Sequence, residues 1–82
     1  MTAMPASFWL VRPRPDGGCD YVSFDPVSNG STPGAVEMRE GSHLPPQMPL
    51  LKRRHRLDRA EADRRRQQLQ QEAGFRCSEP LF

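Results

Sequence analysis

Residues 57–75 read LDRAEADRRRQQLQQEAGF, and this stretch decides the fold because it carries the marks of both ends of a helix. Asp58 is placed to accept from the first-turn amides. Glu61, three positions on, completes a capping box, and Leu57 with Ala62 forms a hydrophobic staple. From Arg59 to Ala73 the chain is rich in Ala, Arg, Gln and Glu and free of Gly and Pro, which favours the helical state. Gly74 supplies the left-handed residue that stops the helix, and Phe75 behind it folds back on Leu69. The spacing therefore predicts a helix over 58–73. Its apolar stripe is thin: Ala62, Leu69 and Ala73 share a face, while Arg65 and Arg66 occupy the turn between them.

Towards the N-terminus the periodicity changes. Phe8-Trp9-Leu10-Val11 is a short aromatic and β-branched run that ends at Arg12-Pro13-Arg14-Pro15-Asp16-Gly17-Gly18, a segment built to turn. Tyr21-Val22-Ser23-Phe24 resumes β character and stops at Asp25-Pro26. Residues 28–34 read as a loop, and Ala35-Val36-Glu37-Met38 as a third, weaker strand. Between this region and the helix, residues 44–51 contain Pro45, Pro46 and Pro49 and read as an extended, polyproline-like arm laying Leu44, Met48, Leu50 and Leu51 over another surface. The tail 75–82 is expected to return over the sheet, and residues 1–7 to form a flexible start. The sum is a single small α+β domain over 8–82, with a two- or three-stranded antiparallel sheet and one helix. Its expected core is Trp9, Val11, Val22, Phe24, Val36, Leu69 and Phe75.

The chain has 82 residues, and Leu, Ile, Val and Phe together make up 15 of them. That is about 18 %, under the roughly 20 % below which a self-sufficient core becomes doubtful, so the core is expected to be completed on a protein partner or a second copy. No stretch reaches the roughly 18–20 apolar residues of a membrane span, and no basic leader precedes a long apolar run. The expected setting is soluble and cytoplasmic, without membrane contact. Cys19 and Cys77 stand far apart without CxxC spacing, which favours free thiols.

Charge divides the chain. Residues 1–51 hold three Arg against five acids, a balance of −2, and residues 52–82 hold nine Lys or Arg against five acids, a balance of +4. The sharpest feature is Lys52-Arg53-Arg54-His55-Arg56. With Arg59 and Arg66 on the helix, Lys52, Arg53, Arg54 and Arg56 form a candidate surface for an anionic partner, since arginine forks suit phosphate and carboxylate geometry. The opposing reading is a solvated face on which Glu61, Asp63 and Glu72 partner the helical arginines. Weak, salt-sensitive nucleic-acid binding is the alternative function, and no aromatic is interleaved with the cluster to stack bases. His43 and His55 with the two cysteines lack zinc-site spacing, so no metal is expected. No GxSxG elbow, paired carboxylates or phosphate loop is present, so neither catalytic residue nor cofactor is expected and the chain reads as no enzyme.

Taken together, several motifs resemble a cyanobacterial family of small proteins of unknown function. They are the aromatic-Leu-Val opening at 8–11, the Gly-marked hairpin, Gly41-x-x-Leu44-Pro45-Pro46, the basic stretch 52–57, Arg59-x-x-Ala62, Gly74-Phe75-Arg76 and Pro80-x-Phe82. The resemblance covers about residues 8–82. Where that family often carries Trp, this chain has Arg65 or Arg66, Phe75 and Phe82. The resemblance implies a compact α+β domain and supplies no activity, catalytic residue or cofactor.

Overall fold

The aromatic and β-branched runs do form strands, and the capped Arg-rich segment does form a helix. The computed structural model describes residues 7–27, 35–79 and 81; the flexible start expected over 1–7, apart from residue 7, the loop expected over 28–34, Pro80 and Phe82 lie outside the described residues. Elements follow as β1 (Phe8–Pro13), β2 (Cys19–Pro26), β3 (Val36–His43), β4 (Leu50–Leu57), α1 (Arg59–Glu72) and β5 (Arg76–Ser78). The strands make one five-stranded sheet in the order β4-β3-β2-β1-β5, with every neighbouring pair antiparallel.

The fold class is α+β as expected, and the sheet is larger than the two or three strands expected. The basic run is itself a strand, and the tail contributes another. Neither shows the alternation of a half-buried strand: β4 carries charge on both faces, and β5 is three residues long. The arm over 44–51 is the link between β3 and β4. Gln47 N donates to Leu44 O at 2.9 Å, closing a turn that holds the cis Pro45-Pro46 bond at its centre, and Leu50 and Leu51 already belong to β4. The cover expected of the arm is not made: Met48, Leu50 and Leu51 are 86 %, 58 % and 42 % exposed.

Register explains the core. Leu10 lies opposite Val22 on β2 and Cys77 on β5, and Phe24 lies between Phe8 and Met38. The pleat sends these side chains to the face that α1 covers, where Leu10, Val22, Phe24, Val36 and Met38 pack with Ala62 and Phe75. Leu57, Leu69 and Ala73 border that cluster. Five of the seven expected core residues are buried, namely Trp9, Val22, Phe24, Val36 and Phe75, while Val11 and Leu69 are half-buried. Leu10, which has no accessible surface, was not among those expected. Trp9 and Tyr21 alternate onto the opposite face, with ring centroids 5.6 Å apart.

The helix begins and ends as the sequence marks it. The Asp58 carboxylate accepts from Glu61 N at 2.7 Å. Gly74 has φ +76°, and the Ala73 and Phe75 amides both donate to Leu69 O. Arginines fill the gaps in the apolar stripe. Arg66 lies over the Phe8 ring at 5.4 Å, so an aliphatic stem and a cation–π contact stand where a large apolar residue would pack. The last turn of α1 has no basic residue of its own. Arg12 of β1 supplies one: it donates to Ala73 O at 3.0 Å, pairs with Asp20 at 2.9 Å and stacks on Phe75 at 4.7 Å. A cation there suits the negative end of the helix.

Candidate interaction surface

The candidate surface starts from β4, an edge strand whose side chains are placed by its register with β3. Arg54 faces Arg39, Arg56 faces Glu37, His55 faces Met38 and Arg53 faces Glu40. Register shifts between Glu40 and Gly41, so that Gly41 faces Leu51 and Lys52 is left as the extra residue of a bulge. Gly41 allows this close approach. A Cβ there would collide with Leu50 O and come within 2.6 Å of the Tyr21 hydroxyl, which itself donates to Leu50 O at 3.4 Å.

The pleat divides the basic residues. Arg53 and His55 point to the helix-covered face, and Arg54 and Arg56 to the face of Trp9 and Tyr21. On that second face Glu37 pairs with both Arg54 and Arg39, at 2.9 and 3.1 Å, and Arg39 also reaches Asp25 at 4.0 Å. Arg39 and Arg54, directly opposite each other, would repel, and Glu37 between them offsets this. Trp9, Tyr21, Pro49 and Leu51 border the two arginines around a shallow groove of about 330 Å³. On the helix side His55 Nε2 is enclosed 3.1 Å from Glu40 Oε2, within ion-pair reach but out of line for a hydrogen bond.

The six residues singled out by charge thus fall into three settings. Arg54 is paired with Glu37. Arg66 is held by Phe8, Gln70 and Asp63, and its helical neighbours Arg64 and Arg65 both bind Glu61. Lys52, Arg53, Arg56 and Arg59 make no ion pair among the described residues. The structure therefore does not gather 52–66 onto one face: the helical arginines after Arg59 form a solvated, internally paired surface, and the uncompensated charge is concentrated along β4. Sequence reasoning missed the aromatic pair beside Arg39 and Arg54, because the pairing that brings Trp9 near them runs across four strands.

Burial, then the charge of Asp20, pushes the Cys19 thiol above its ordinary pKa, which suppresses the reactive thiolate. Burial likewise raises the Tyr21 phenol. Among the described residues no three His, Cys, Asp or Glu cluster to hold a metal ion, and no helix is long and apolar enough to cross a membrane. Comparison with protein families, curated proteins and solved structures gives no match.

Proposed function

We propose that this chain is a small non-catalytic binding module of the cytoplasm, and that it holds a protein partner along the β4 edge of its sheet. One observation carries the reading: the only long edge strand among the described residues combines exposed Leu50 and Leu51 with the uncompensated charges of Lys52, Arg53 and Arg56. Apolar residues beside unneutralised cations, all on one strand already paired in the sheet, suit a contact that orders little on binding. The free thiols Cys19 and Cys77 fit a reducing compartment. The alternative, a nucleic-acid module using 52–66, is less well supported, because β4 splits its cations between two faces and Arg64, Arg65 and Arg66 of the helix are engaged within the protein.

The test compares the chain with the triple variant Lys52→Gln, Arg53→Gln, Arg56→Gln. These side chains make no ion pair among the described residues, so the thermal midpoint should stay unchanged. Partners retained from a cell extract by the parent chain should be lost by the variant. Identical retention by both would refute the reading. Binding of duplex DNA tighter than about 10⁻⁶ M, beyond what general electrostatic attraction gives at physiological salt, would replace it with the nucleic-acid alternative.

A further inference from the structure

We infer that the outer edge of β4 accepts an extended acidic segment of another protein as a sixth strand. This rests on the binding-module reading above and names the partner's chemistry. An edge strand presents a row of unpaired N–H and C=O groups, and adding a strand satisfies them while side chains set specificity. Proteins protect such edges with charge, bulges and short length. β5 is protected by its three residues. β4 is eight residues long, and beyond its bulge residues 53–57 run in continuous register against β3.

Charge selects the occupant. A second copy of this chain pairing antiparallel along β4 would set the cations of 52–56 against one another, and directly opposed like charges destabilise a strand pair. An acidic strand reverses the sign. The pleat makes the requirement sharper: because Arg53 and Arg54 point to opposite faces, as do His55 and Arg56, the partner must carry acids at consecutive positions rather than every second one. At the bulge end the exposed Leu50 and Leu51 call for an apolar residue instead. The recognised segment is therefore a run of four or five acids, roughly the span of 52–56 at one residue per strand position, preceded or followed by an apolar side chain.

The test uses fluorescence-detected titration of the full chain with a labelled ten-residue peptide bearing two Val and five consecutive acids. Three controls accompany it: the same composition with acids at alternate positions, the consecutive peptide N-methylated on alternate backbone amides, and labelled duplex DNA. The parent peptide should bind and slow amide exchange along β4. Alternating the acids should weaken it several-fold, and N-methylation by about tenfold, about 1.4 kcal/mol, because charge is kept while the ladder is broken. Equal binding of the N-methylated peptide overturns strand addition and leaves the basic binding surface standing. Equal binding by the triple Gln variant, whose folding is checked by its thermal midpoint, overturns both. Self-association with β4 amides protected in the absence of peptide, or binding of DNA but not of peptide, overturns the acidic occupant.

Discussion

β2 and β4 are both eight residues long and belong to the same sheet, yet the first is buried on both faces at its centre and the second is exposed along most of its length. The difference is position and composition together. β2 lies between β1 and β3, so Val22 and Phe24 meet the helix side while Tyr21 and Ser23 are closed over on the other. β4 has one neighbour, lies at the margin of the surface α1 covers, and carries Lys, Arg or His at five successive positions. Burial in this fold is set by distance from the sheet centre as much as by residue type, which is why Ser23 is 1 % exposed and Leu50 58 %.

The contrast predicts where substitutions cost most. Phe24→Ala, at the centre of β2, should lower stability by about 3–5 kcal/mol through the cavity it leaves, read as a fall in the urea midpoint; a loss under about 1 kcal/mol would place the core elsewhere. Gly41→Ala tests the junction between the two regions. Its new Cβ has only the backbone of Leu50 and the Tyr21 ring to displace, and a cost of about 1–3 kcal/mol is expected, with amide exchange of β4 rising faster than that of β2. Asp58→Ala removes the acceptor for Glu61 N just after β4 and should cost about 0.5–2 kcal/mol, seen as a lower thermal midpoint with reduced helical circular dichroism. Arg54→Ala, on β4 itself, should change stability by about 0–1 kcal/mol, since the pair with Glu37 is largely solvated. A larger loss there would mean that β4 supports the fold as β2 does.

The smallest effect concerns the turn that leads into β2. There Pro15-Asp16-Gly17 reverses the chain, with Gly17 at φ +91°. The hydrogen bond from the Gly18 amide, aided by Arg14, holds the Asp16 carboxyl below its ordinary pKa. A depressed carboxylate stabilises the fold above its unfolded pKa of about 3.9, and that contribution is lost as pH falls through the lower folded value. Asp16→Asn should therefore flatten the acid limb of stability against pH and lower stability slightly at neutral pH. An unaltered acid limb would show that the turn does not depend on the charge.

The helix was the most legible element, because its signals are local: Asp58, Glu61 and Gly74 act within a turn of their own positions. The strands of β1, β2 and β3 were legible as runs but not as faces. Trp9 and Val11 were grouped with Val22 and Phe24, whereas the β1–β2 register sets Leu10 opposite Val22 and sends Trp9 to the other side. No local pattern encodes a register. β4 was visible as charge and illegible as a strand, since an edge strand solvated on both faces has no reason to alternate. The same gap affects the candidate surface. Its residues were found by charge, but the separation of Arg54 from its unpaired neighbours on β4 depended on Glu37 of β3, and the role of Arg12 depended on a helix end 61 positions away.

The route of α1 from one margin of the sheet to the other has a consequence for how the molecule assembles. Each hairpin of the meander β1 to β4 closes a modest loop, whereas the pairing of Leu10 with Cys77 closes nearly the whole chain. Loop-closure entropy rises slowly with length, about 0.6 kcal/mol per doubling, but it must be met before the three-residue β5 returns any bonds, and such non-local pairings slow folding. The helix shortens the search, because its internal bonds form locally and its last turn delivers β5 to the β1 margin, where Arg12 clasps Ala73. The topology thus leads us to expect assembly from meander to helix to closure, with a slow final phase, read by stopped-flow refolding, that reports β5 docking rather than formation of the core.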